Sequence, residues 1–151
     1  MTATDLPPPV MTKAEITSFL ATEFPQAVGY RVGGVTAEGV DLILDPDLSH
    51  LRPGGTISGP ALFALADVGF YLAVLSRIGP VALAVTTNAT IDFLRKPPAE
   101  QPLVAQSRLL KLGKRLAVGD VMIRAESGGP VLARAGMTYA IPPGSISPVR
   151  E

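Results

Sequence analysis

The chain is 151 residues long, with 13 Lys and Arg balanced by 13 Asp and Glu, one His, and no Cys or Trp. Zero net charge argues against nucleic-acid or anionic-membrane partners. Missing cysteine removes thiol nucleophiles, disulfides and thiolate-held metals, and a lone His50 cannot supply the paired imidazoles of most zinc or iron sites. The chain is 47% hydrophobic and 17% charged with mean hydropathy +0.35, an apolar excess read as subunit interface.

Residues 1–11, with Pro7, Pro8 and Pro9, read as a disordered leader. It has neither the basic nor the apolar region of a signal peptide, and a cytoplasmic location is expected. Residues 12–142 form the single domain, and 143–151 a tail that should fray. Thr12 and Glu15 make a capping box for a short helix that ends near Phe24, where Pro25 stops it. From Ala27 to Leu44, short apolar runs broken by Gly33-Gly34 and Glu38-Gly39 predict a two-stranded hairpin.

A polar, turn-rich loop then leads to Pro60–Ser76, apolar nearly all round and therefore buried on most sides. It is short for a membrane span and carries Asp67 near its middle, so it reads as a core helix capped by Ser58. After Gly79-Pro80 come four strand-like runs: Val81–Phe93, Leu103–Leu112, Arg115–Ala125 and Val131–Ile141. A hairpin, one long helix and four consecutive strands imply an α+β fold with an antiparallel sheet around the helix.

Two features can carry chemistry. Asp67 lies among Phe63, Ala64, Phe70 and Tyr71 at helical spacing, none of which can neutralise it. It must be paired, hydrogen-bonded, protonated or open to a cleft, and it is a candidate water-activating base or nucleophile. The loop from Arg52 to Gly59 feeds the helix start, where free N–H groups favour anions. Pro60 has no N–H, so Gly59 is the natural oxyanion donor, a contribution of about 2.7–4 kcal/mol in a transition state. A nucleophile elbow, a phosphate-binding loop and a dinucleotide fingerprint are all absent.

The segments GGTISGPALFALADVGFY, AVTTNATIDFLRKP, LLKLGKRLAVGDV and VLARAGMTYAIP together resemble the hotdog-fold acyl-CoA thioesterases of the phenylacetate-degradation (PaaI-like) type. The resemblance covers about Leu42 to Pro142. It implies the hotdog fold, a long central helix wrapped by a curved antiparallel sheet, assembled as a homodimer or a homotetramer of paired dimers. It also implies sites between subunits and no cofactor other than the coenzyme A of the substrate. Carried over, Gly59 polarises the thioester carbonyl, Asp67 acts as base or nucleophile, and Thr86 helps position water.

The family's Asn and His positions hold Arg52 and Ser58 here, its last Gly is Pro60, and Gly55 and Gly59 remain. Arg52 is left with two roles, pairing with Asp67 or gripping a substrate carboxylate or phosphate. Arg95-Lys96 and Lys114-Arg115 are candidate phosphate contacts, and Phe63, Phe70 and Tyr71 candidate acyl-pocket walls. The function implied is hydrolysis of a small or medium acyl-CoA to acid and CoA. The alternative is a non-catalytic acyl-CoA-binding protein whose altered loop keeps the ligand without turnover. A hotdog hydratase, which would need a catalytic His, finds only His50 ahead of the matching region.

Overall fold

The protein is described by a computed structural model covering residues 5–144. Helix α1 (Lys13–Glu23) starts on the expected capping box, with the Thr12 hydroxyl accepting from the Glu15 N–H and the Glu15 carboxylate accepting from the Thr12 N–H. Strands β1 (Tyr30–Val35) and β2 (Val40–Leu44) form the predicted hairpin. A 3-10 turn (Leu48–His50) and the glycine loop precede α2 (Gly59–Ile78). Beyond it lie β3 (Val85–Phe93), β4 (Leu103–Leu112), β5 (Leu116–Ala125) and β6 (Ala133–Ala140).

All strand pairs are antiparallel, in the order β1-β2-β4-β5-β6-β3. The alternating burial along β4 and β5 leaves one apolar face, and α2 lies across it. By length and composition α2 could cross a membrane, but 78% of its apolar window is buried in the fold, so it is the core helix. This is the α+β hotdog architecture. The helix runs two residues past Ser76 because it stops only where Gly79 takes φ 97°, a conformation that suits glycine.

The leader is not loose where it is described. Leu6 and Met11 are buried in the core, and the Val10 N–H donates to the Ser76 carbonyl at 2.7 Å. The Val10 bond ties this stretch to α2 while its two apolar side chains join the core, so hydrophobic burial overrides a disordered composition. At the other end Pro143 and Gly144 are exposed, and the rest of the expected tail lies outside the described residues.

Strand β3 is an edge. Among the described residues its only partner is β6, and Val85, Phe93 and the adjoining Leu83 and Leu94 are at least half exposed. Residues 81–84, expected as strand, instead form a turn closed by the Ala84 N–H on the Val81 carbonyl.

Candidate active site

The first half of the site is built at the start of α2. Arg52 and Thr56 close a tight turn in which Gly54 and Gly55 adopt φ of 99° and 79°, so both glycines are there for backbone geometry. Gly55 stands at the open tip of that turn and does not face the neighbouring cleft. The Ser58 hydroxyl accepts from the Ala61 N–H at 3.2 Å, the expected cap, which commits this side chain to the helix.

Gly59 is the first helical residue, so no carbonyl one turn back can receive its N–H. A side chain there would press on the Phe93 ring, whose Cζ lies 3.3 Å from the position of an added Cβ. Glycine therefore keeps this N–H approachable. It opens on a cleft of about 460 Å³ walled by Ile57, Leu62 and Phe93 and rimmed by Arg52, Arg95 and Lys96. Among the described residues no carboxylate lines this cleft, so the rim is cationic and suited to an anion.

The second half of the site surrounds Asp67. Its Oδ1 accepts from the Thr86 hydroxyl at 2.6 Å and from the Tyr139 hydroxyl at 2.7 Å, and the Tyr139 oxygen also lies 3.1 Å from the Asp67 carbonyl. Of the options left open by the sequence, hydrogen bonding is realised. Thr86 reaches Asp67 because the β3–β6 register slips at Thr87: Thr86 pairs with Tyr139 and Asn88 with Thr138. That bulge turns Thr86 to the helix face, where strict alternation from Ala89 would have put Thr87.

Tyr139 was not singled out from the sequence. It ends an inward-facing series with Ala133, Ala135 and Met137, and a phenol among such neighbours needs a partner for its hydroxyl. That requirement was the available signal. Burial raises the Tyr139 pKa above its ordinary value, against a smaller opposing effect of the Thr86 hydrogen bond, and the Asp67 charge adds to the rise. Tyr30 is shifted upward too, by burial first and the Asp67 charge second.

A further cavity of about 430 Å³ opens beside Asp67, lined by Phe24, Gln26, Tyr71, Val85, Thr86 and Tyr139. Of the three aromatics proposed as acyl-pocket walls, Tyr71 borders this cavity while its hydroxyl donates to the Ala82 carbonyl at 3.0 Å. Phe63 lies on the open flank of α2, 37% exposed. Phe70 is a correction: it has no exposed surface, packs on Tyr139 with ring centroids 5.6 Å apart and leaves no room for a side chain at Gly119. Its ring packs into the β5–β6 face as part of the core.

The two halves lie apart. Residues 59 and 67 are separated by about 12 Å along α2 at the helical rise. Arg52 lines the Gly59 cleft and forms no ion pair with Asp67 within the described chain, so of its two roles the geometry favours the grip on an anion. Lys114 and Arg115 sit in the β4–β5 turn at the Val85 end of the sheet, far from Arg95 and Lys96 beyond Phe93. His50 is engaged locally, its Nδ1 accepting from the Asp47 N–H at 2.9 Å.

The family model of the thioesterase superfamily matches residues 54–132, which span the end of the glycine loop, α2 and strands β3 to β5. The chain belongs to the thioesterase superfamily. A provisionally named esterase of Deinococcus radiodurans is 33% identical over 124 residues, 74% of this chain and 78% of that protein. A provisionally named thioesterase of Silicibacter sp. TM1040 superposes with TM-score 0.83 at 46% identity, covering 89% of this chain and 94% of that one. The phenylacetic acid degradation protein PaaI of Thermus thermophilus superposes with TM-score 0.68 at 27% identity, covering 79% of this chain and 98% of that one. This is a hotdog thioesterase of PaaI-like type, and its chemistry is hydrolysis of a thioester.

Proposed function

We propose that this thioesterase hydrolyses small or medium acyl-CoA thioesters in the cytoplasm, at a site shared by two copies of the chain. The observation that carries the reading is the separation of Gly59 from Asp67 combined with the uncovered edge of β3. Gly59 lies against Phe93 at one end of β3, and Asp67 is bonded to Thr86 at the other. Antiparallel pairing of two β3 strands about Ala89 sets Phe93 opposite Val85 of the partner subunit. Each Gly59 cleft is then carried toward the partner's Asp67. The same pairing brings the partner's Lys114 and Arg115 toward the Arg95–Lys96 end, and two such dimers can pair again into a tetramer.

In the reaction, Asp67 Oδ2 takes a proton from a water whose oxygen bonds to the thioester carbonyl carbon. The carbonyl electron pair moves onto oxygen, where the Gly59 N–H of the partner subunit stabilises it. When the carbonyl re-forms, the C–S bond breaks, and the CoA sulfur leaves with its electron pair and recovers the proton from Asp67. Direct attack by Oδ2 on the carbonyl carbon is the nucleophilic variant of the same site. Thr86 holds the other carboxylate oxygen. Arg52, Arg95 and Lys96 meet the CoA phosphates or an acyl carboxylate, and Tyr71 and Phe63 flank the acyl path. No metal or further cofactor takes part.

The test is CoA release from an acyl-CoA panel, read with a thiol reagent, alongside molar mass by light scattering. Expected are turnover in the wild type, its loss in Asp67→Asn, and a dimer or tetramer in solution. A monodisperse monomer, or an Asp67→Asn enzyme that turns over normally, overturns the reading. Ser58 stands at the family's His position and spends its hydroxyl on the helix cap. That favours, as a second reading, a non-catalytic acyl-CoA-binding protein. Thermal stabilisation by acyl-CoA without CoA release would select it.

A further inference from the structure

We propose that Tyr139 is a positioning residue that, together with Thr86, anchors one oxygen of the Asp67 carboxylate and thereby fixes the other as the reacting oxygen. The inference deepens the reading of Asp67 as the catalytic carboxylate and rests on it.

A carboxylate on a helix can turn about its last side-chain torsion, and its two oxygens are then interchangeable. Here they are made unequal. Oδ1 receives the Thr86 hydroxyl at 2.6 Å and the Tyr139 hydroxyl at 2.7 Å, and neither donor is bonded to Oδ2. The two donors come from paired residues of β3 and β6, so their spacing is set by the sheet. Two bonds on one oxygen define the carboxylate plane and leave Oδ2 with free lone pairs for water. Reaction geometry is sensitive to this, since misplacing a reacting group by about 1 Å costs up to about 100-fold.

The phenol itself is well fixed. Tyr139 is 3% exposed, and its ring packs between Phe70 and Tyr71 at centroid distances of 5.6 and 6.0 Å. Its raised pKa keeps the proton on the phenol throughout the neutral range, so it remains a donor and gives up no proton of its own. A phenylalanine would fill the same volume between the same rings. The hydroxyl is therefore explained by Asp67 and not by packing.

The test compares Tyr139→Phe, Thr86→Val, the double variant and Asp67→Asn by steady-state CoA release and thermal midpoint. Tyr139→Phe is expected to lower kcat about 10- to 100-fold while KM stays within about twofold and the midpoint moves by a few degrees at most. The double variant should lose less than the product of the two single losses, because both act on one oxygen. Unchanged kcat in Tyr139→Phe, with Asp67→Asn inactive, overturns this inference and leaves the role of Asp67 standing. A loss in which kcat, KM and midpoint all move together makes Tyr139 a packing residue and overturns it as well. Wild-type turnover in Asp67→Asn brings down the parent reading, a result distinguishable from either.

Discussion

The N-terminus of α2 and its middle contribute opposite kinds of chemistry to one helix. At Gly59 the active element is backbone: an N–H without an intrahelical partner, kept approachable by the absence of a side chain, beside a cleft rimmed by exposed cations. At Asp67 it is a side chain held by two hydroxyls from strands far along the chain. The first is local and electropositive, the second anionic and assembled by the sheet. The helical rise keeps them about 12 Å apart on one helix, and the proposed pairing of two copies along β3 is what would bring one of each to the same carbonyl.

That contrast can be broken at either end. The largest effect is expected from Asp67→Asn, which keeps the carboxylate's shape and removes its basicity. CoA release should fall by about 10²- to 10⁴-fold, and a loss of less than tenfold would move the base elsewhere. Next comes the link between the two ends. Val85→Asp puts a charge on the exposed edge strand, and light scattering should show the smaller species with CoA release falling in step. Full activity in a monomer would contradict the shared site.

A smaller change should follow from Arg52→Ala, which removes one cation from the rim of the Gly59 cleft. KM for acyl-CoA is expected to rise about tenfold, the scale of one charge-assisted contact to an anion, with kcat little altered. An equal fall in kcat at constant KM would instead assign Arg52 to the transition state. The smallest effect serves as the control. Thr12→Ala removes the α1 cap and should cost about 1 kcal/mol of stability, read as a lower thermal midpoint with unchanged kcat. A change in kcat would tie α1 to the site, where Phe24 already borders the cavity beside Asp67.

Much of this architecture was legible along the chain because its signals are local. Thr12 with Glu15, and Ser58 before Pro60, mark helix starts through contacts three residues apart. The runs of β4 and β5 alternate cleanly because one face is buried. Asp67 stood out because a charge in an apolar helix demands a partner, and Gly59 because a proline follows it.

What the sequence by itself determined, then, was the set of elements, the identity of the carboxylate and the orphan amide at the helix start. Each follows from helix caps, strand period and the cost of burying charge. Only the tertiary structure decided what those groups meet. Leu6 and Met11 left a proline-rich leader for the core, Phe70 went into the sheet rather than a pocket, and Arg52 joined the Gly59 rim rather than Asp67. One bulge at Thr87 chose Thr86 over its neighbour, and the pairing of β3 with β6 delivered Tyr139 to a carboxylate 72 residues away. Spacing along a chain fixes neighbours within a helix or strand, whereas register and packing between elements fix the rest, and those exist only once the sheet has closed on the helix.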